Sequence, residues 1–282
     1  MKPFTTFESE GFNLHLAASD LNSLLPHEDV IEAEVKQLSE RISKERMQRD
    51  PIIVDLSSKT ILDGMHRYHS LKRLDAKSCI VCYVNYYDDR IKVGRWIRAF
   101  NAGPKICEDI ASLLGMKSFS DPRLALQKVD EGSIQAALVS RKDAFVSLID
   151  GGKEYPKKIV KRFDDEVYSR HLAVYLLPDD AVDKLLDSFE CIFYPRTPKK
   201  EEIINSAKLK ELFPAKSTRH EIPYRPVGVD FPLEMLFLKD VEEINSALSK
   251  ILEKRKARIL EPGTVFHGRK YKETLVSYEG DV

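Results

Sequence analysis

The chain has 282 residues, 43% hydrophobic and 32% charged, enough to bury a core in one large domain or two smaller ones and too apolar for a disordered chain. Lys plus Arg and Asp plus Glu number 45 each, so the formal charge is zero and no global field gathers nucleic acid on the surface. The N-terminal MKPFTTFESEGFNLHL is acidic without an apolar signal core, and no run of about 18 apolar residues follows, so a cytoplasmic chain with no membrane partner is expected.

Val30, Ile31, Val35, Leu38 and Ile42 recur at helical spacing and predict a helix over 30–46. After Pro51, IIVDL-SSK-TILDG reads as two short strands of a hairpin ending at Gly64. The amphipathic MHRYHSLKRL follows at once, which puts Asp63 at or near a helix N-cap. SCIVCYVNYY is β-branched and aromatic, a strand whose alternation sends Cys79 and Cys82 to opposite faces and argues against a shared metal or redox role. With Cys107 and Cys191 the cysteines number four, too few and too dispersed for a disulfide framework, and a reducing compartment fits. Val93, Trp96, Ile97 and Phe100 predict a helix over IKVGRWIRAF, closed by the Gly/Pro break at Asn101–Pro104.

That break divides the chain into expected domains 1–104 and 105–282. Beyond it, ICEDIASLLGM, KEYPKKIVKRF, LPDDAVDKLLDSF and VEEINSALSKILEKRKARIL read as helices. IQAALV-SRKD-AFVSLI reads as a hairpin, and HLAVYLL and ECIFYP as strands. The fold class is therefore mixed α/β.

The densest polar cluster on an apolar frame is the run from Ile61 to Leu74, ILDGMHRYHSLKRL. A turn feeding a helix presents unpaired N–H groups and a positive dipole end to an anion, and His66 and Arg67 in the first turn add donors. A carboxylate beside phosphate, here Asp63, suits a Mg²⁺ ligand. The alternative is an ordinary N-cap Asp with a surface His and Arg. A second anion-gripping stretch spans Lys216, Ser217, Thr218, Arg219 and His220, two cations, two hydroxyls and an imidazole in succession, unless it is a solvated loop.

The order PIIV, ILDGxHRY and SLKRL resembles the ParB/sulfiredoxin-like N-terminal fold over roughly residues 12–100, in which this strand–turn–helix, with Asp63, Gly64, His66 and Arg67, holds nucleotide phosphates. Sulfiredoxins need a Cys immediately before the His-Arg pair, where this chain has Met65. Chromosome-partition ParB proteins carry a Glu-Arg-Arg motif and a helix-turn-helix; the motif is absent, and 106–127 mimics the latter without a basic face.

The third branch, the free serine kinases, is similar over both halves, through LLP-His27-Glu28, Gly94-Arg95-Trp96 and the KSTRH segment with its Pro-rich strand EIPYRPVG. This resemblance implies a ParB/sulfiredoxin-like domain with a second mixed α/β domain packed against it and the active site in the cleft. It implies phosphoryl transfer from ATP, or alternatively ADP, to free L-serine, with Glu28 as the catalytic carboxylate and Mg²⁺ partly held by Asp63. Trp96 and Lys216 to His220 would grip serine and phosphate, and the product would feed cysteine or siderophore-type synthesis. Taken alone, a Glu placed like Glu28 more often caps the helix that follows or complements its dipole, and a Trp in the pattern of Trp96 is more often core. The competing reading is a ParB-like nucleotide-dependent DNA-binding or regulatory protein, against which the neutral charge speaks.

Overall fold

The computed structural model describes residues 5–148, 155–179 and 182–278. The helices among them are α1 (Glu32–Glu45), α2 (Met65–Arg73), α3 (Pro104–Leu113), α4 (Pro122–Asp130), α5 (Lys157–Ser169), α6 (Val182–Ser188), α7 (Lys200–Leu209) and α8 (Val241–Glu253). None is long and apolar enough to cross a membrane. The chain forms two compact units: Met1–Lys92 with Ile204–Leu212 and His220–Val282, and Val93–Ile203 with Phe213–Arg219. It leaves the first unit at Lys92, ahead of the Asn101–Pro104 break, and its C-terminal stretch returns there rather than completing the second.

The first unit is built on a five-stranded sheet in the order Thr5–Ser9, Phe12–Asp20, Ser78–Val84, Ile52–Asp55, Ile61–Asp63. Its pairings are antiparallel except that of Ile52–Asp55 with Ser78–Val84. The hairpin expected around SSK is present, and α2 starts directly after its second strand. Ser78–Val84 is buried along its whole length, as a run of apolar side chains on both strand faces requires. Cys79 and Cys82 lie inside it, and burial pushes both thiols well above their ordinary pKa, away from the reactive thiolate. The helix pair α1 and α2 is tied by Ser70 Oγ donating to the Val35 carbonyl at 3.0 Å. Far along the chain, Asn245 of α8 accepts from the Ala18 amide at 2.7 Å. The helix expected to run to residue 260 stops at Glu253, and Arg258–Leu260 instead joins Thr274–Ser277 and Tyr224–Val227 in a small sheet.

The second unit carries a six-stranded antiparallel sheet in the order Val174–Pro178, Trp96–Phe100, Cys191–Pro195, Ile134–Ser140, Ala144–Leu148, Lys117–Phe119. Trp96–Phe100 corrects the helix expected over IKVGRWIRAF. Its helical spacing of apolar residues arises because both faces of an interior strand are covered: Ile97 and Ala99 pack in one core with Leu126 and Val129 of α4, while Phe100 lies against Phe163, which stacks on Phe193. Between α3 and α4 runs the strand Lys117–Phe119, paired into this sheet, so 106–127 is not a helix-turn-helix. Cys107 of α3 and Cys191 are joined in a disulfide, against the expectation of unpaired thiols; their sequence separation of 84 hid a pairing that the sheet and α3 create.

Candidate active site

In the first unit, two helix N-termini lack side-chain caps. The N-cap of α1 is Ile31 and that of α2 is Gly64, neither offering a side-chain acceptor to the orphan N–H groups. His66, in the first turn of α2, joins them: its Nε2 lies 3.1 Å from Glu34 Oε2 of α1 and 3.4 Å from the Ile31 amide. Two helix N-termini without side-chain caps thus meet at one imidazole, which the Glu34 carboxylate of α1 shares.

Glu28 lies in the loop before α1 and is 8% exposed. It stands ahead of the N-cap Ile31, and the acidic first-turn residues of α1 are Glu32 and Glu34.

Asp63 and Arg67 belong to a larger charged cluster. Oδ2 of Asp63 accepts from Arg67 Nη2 at 3.1 Å and from Arg225 Nη1 at 2.9 Å, and Arg225 Nη2 donates to Glu273 Oε1 at 3.0 Å. Arg67 also donates to the Pro51 carbonyl, and each arginine keeps a buried Nε–H without a hydrogen-bond acceptor. Burial opposes the Arg225 charge, but Asp63 and Glu273 outweigh it and hold its pKa above the ordinary value. Asp63 therefore aims two guanidinium groups. Asp63 Oδ2 is held twice, and among the described residues no group of three His, Cys, Asp or Glu side chains gathers for a metal.

His220 sits beside this cluster. The imidazole bonds to the Leu62 carbonyl and its Nε2 takes a 2.8 Å hydrogen bond from Tyr86 Oη. His27 packs edge-on against it at 5.7 Å and donates from Nδ1 to the Ile61 carbonyl at 2.6 Å. Burial lowers His27 to about 4, and burial with the neighbouring His27 lowers His220 to about 3. Burial thus favours the neutral imidazole of His220, which is held at the end of the Ile61–Asp63 strand.

In the second unit, Lys216, Ser217, Thr218 and Arg219 form a tight segment with Lys216 at a left-handed φ of 57°. Ser217 is buried and its hydroxyl donates to the Pro214 carbonyl at 2.7 Å, shaping the turn. The indole N–H of Trp96 donates to the Thr218 carbonyl at 3.0 Å, so this tryptophan touches the expected substrate segment through its backbone. Arg219 Nη1 stands 3.9 Å from Asp179, which also pairs with Arg95.

Arg225, Glu273 and Tyr86 escaped the reading of the sequence. A signal existed for the first: a lone arginine in the Pro-rich strand YRPV must find a partner if that strand is buried.

No protein-family model matches the sequence. The chain is 30% identical over 225 residues to the ADP-dependent L-serine kinase SerK of Thermococcus kodakarensis, covering 77% of this chain and 91% of that one. It is 26% identical over 227 residues to an ATP-dependent L-serine kinase of Staphylothermus marinus, covering 77% and 89%. Among solved structures, a mutant free serine kinase in complex with ADP superposes with a TM-score of 0.67 at 26% identity, over 83% of this chain and 97% of that one. On the strength of the SerK likeness, which spans most of both chains, this protein belongs to the free L-serine kinase family.

Proposed function

We propose that the protein transfers a phosphoryl group from a nucleotide to the hydroxyl of free L-serine, giving O-phospho-L-serine. The observation that carries the phosphoryl-transfer reading is the meeting of two uncapped helix N-termini at His66, next to the Asp63-oriented arginines. The names of the relatives support serine as acceptor. They divide between ADP and ATP as donor; we take ATP, with ADP as the alternative. Nucleotides are cytoplasmic reagents, which supports a cytoplasmic setting.

A serine hydroxyl is a poor nucleophile at neutral pH and needs a base within hydrogen-bond reach. Glu28 serves as that base: it takes the hydroxyl proton as the new O–P bond forms and the bond to the donor's bridging oxygen breaks, leaving the shortened nucleotide with the electron pair. The N–H groups opening α1 and α2, with His66 and Arg67, hold donor phosphates and spread the charge of the transferring group. Lys216, Thr218 and Arg219 bind the serine carboxylate and phosphoryl oxygens, the arginine fork being suited to either. Trp96, Ser217 and His220 shape the segments that carry these groups. Magnesium enters as the counter-ion of the nucleotide and is part of that substrate.

The direct test incubates purified protein with L-serine, magnesium and either ATP or ADP and follows O-phosphoserine by phosphorus NMR. Product with one donor only establishes reaction and donor together; no product with either, from protein that binds nucleotide, overturns the reading. Glu28→Gln is expected to lower kcat by about 10²-fold or more with KM nearly unchanged, since only a transition-state role is removed. Near-normal turnover of that variant would remove Glu28 as the base.

A further inference from the structure

Arg98 is the one charged residue of the strand WIRAF, lies inside the six-stranded sheet of the second unit and is 1% exposed. A guanidinium so buried costs several kcal/mol unless its donors are met. All five are. Nε and Nη2 grip Asp164 of α5 at 3.0 and 2.9 Å, the parallel fork of a bidentate pair. Nη1 donates to the carbonyls of Trp96 at 3.0 Å and Lys216 at 3.1 Å, and Nη2 also to that of Ala215 at 3.2 Å.

Two of those acceptors belong to the segment Phe213–Arg219. Strand alternation sets Trp96 on the same face as Arg98, and its indole N–H takes a third carbonyl of the segment, that of Thr218. Side chains two residues apart on one strand thus hold three of four consecutive carbonyls, those of residues 215, 216 and 218. Between them the backbone passes through a left-handed conformation at Lys216, one that a side-chain-bearing residue keeps only where its surroundings enforce it.

We infer that Arg98, aimed by Asp164, is a positioning residue for serine binding: it fixes the backbone from which Lys216, Thr218 and Arg219 reach the acceptor. This rests on the reading of that segment as the serine and phosphoryl grip. A salt bridge serving only stability would be satisfied by Asp164, whereas here two of the three remaining donors go to the substrate segment itself. Lysine cannot substitute, because a single ammonium cannot bond a carboxylate in bidentate fashion and three separate carbonyls together.

The test is steady-state kinetics of the full-length protein, with serine and nucleotide varied separately, on Arg98→Lys, Asp164→Asn, Asp164→Glu and Arg219→Ala, each assayed well below its melting temperature. Arg98→Lys is expected to raise KM for serine about tenfold or more while KM for nucleotide stays within about twofold, the mark of a displaced binding segment. Asp164→Asn shifts the same constant less, and Asp164→Glu, which keeps the carboxylate, restores it. If Arg219→Ala raises KM for serine and the Arg98 and Asp164 variants do not, the positioning role is overturned and the substrate segment stands. If Arg219→Ala is also silent, the segment has no such role and both readings fall. A parallel loss in both KM values and kcat that tracks the folded fraction by circular dichroism reduces Arg98 to a structural residue and overturns the inference. Should Arg98→Lys not fold, the Asp164 pair decides, since that carboxylate is half-exposed at the surface of α5.

Discussion

Gly64 adopts a φ of 94°, and a Cβ placed on it would lie 2.9 Å from Nη2 of Arg67. The hydrogen atom at this position therefore does two things: it admits the backbone turn that opens α2, and it lets the guanidinium fold back over the helix start to reach Asp63. Gly64→Ala is expected to cost about 1–2 kcal/mol of stability from the conformation alone. It should also weaken nucleotide binding by displacing Arg67, so titration calorimetry with nucleotide should show a raised Kd in protein that is still folded; unchanged affinity would sever Arg67 from the donor site. Arg225 poses the opposite case. Removing it in Arg225→Met takes the arginine from Glu273 and leaves Asp63 to Arg67 alone, and breaking such a buried pair costs about 3–5 kcal/mol, readable as a lowered urea midpoint. The two positions also mark what sequence can disclose. Asp63, Gly64, His66 and Arg67 declare themselves because they are contiguous and sit where a strand becomes a helix. Arg225 stands 162 residues from Asp63 and 48 from Glu273, and no local pattern names a partner at that range.

Helices α1 and α2 emerge where periodicity and turn residues set them, because one face of each is buried and the other solvated, the condition that periodicity measures. The strand Trp96–Phe100 fails that condition. Buried on both faces, it has no polar side to reveal its period of two, and its one charged residue, Arg98, is hidden by ion pairing rather than by solvent. The disulfide is a further contact between elements that spacing cannot give. By linking α3 to the strand Cys191–Pro195, it closes a loop of 84 residues, and in the chain-entropy account a crosslink of that span stabilises by about 4–5 kcal/mol at most. Thiol reduction, or Cys107→Ser with Cys191→Ser, should therefore lower the melting temperature by several degrees. Calorimetry with and without reductant checks this, and a melting temperature indifferent to reductant would mean that the pair contributes nothing. A bond of this kind is compatible with a cytoplasmic chain in hyperthermophiles, whose intracellular proteins are disulfide-rich.

At the scale of the whole molecule, the two units interleave along the chain, so that His220, one residue past the substrate segment, completes the first unit beside His27. Such discontinuity leaves no trace in composition: the Asn101–Pro104 break reads as a boundary between 1–104 and 105–282, whereas the chain first passes between units at Lys92. Its consequence is a fold whose stability depends on two neutral imidazoles. Both have folded pKa values, about 4 for His27 and about 3 for His220, below the ordinary 6.5. Their contribution is fully present above pH 6.5, where folded and unfolded chains are both neutral at these sites. Below it the unfolded chain takes up protons that the folded chain refuses, so stability is lost as pH falls toward the folded values. Each histidine contributes a slope of about 1 kcal/mol per pH unit, and the two together about 2–3 kcal/mol per pH unit, between roughly pH 6 and pH 4. Unfolding free energies from urea titrations across pH 4–7 should show this fall, and His27→Asn, which keeps a donor for the Ile61 carbonyl, should remove about half of the slope. A flat profile over that range would mean that the imidazoles accept protons in the folded state, and the neutral assignment of His27 and His220 would be lost.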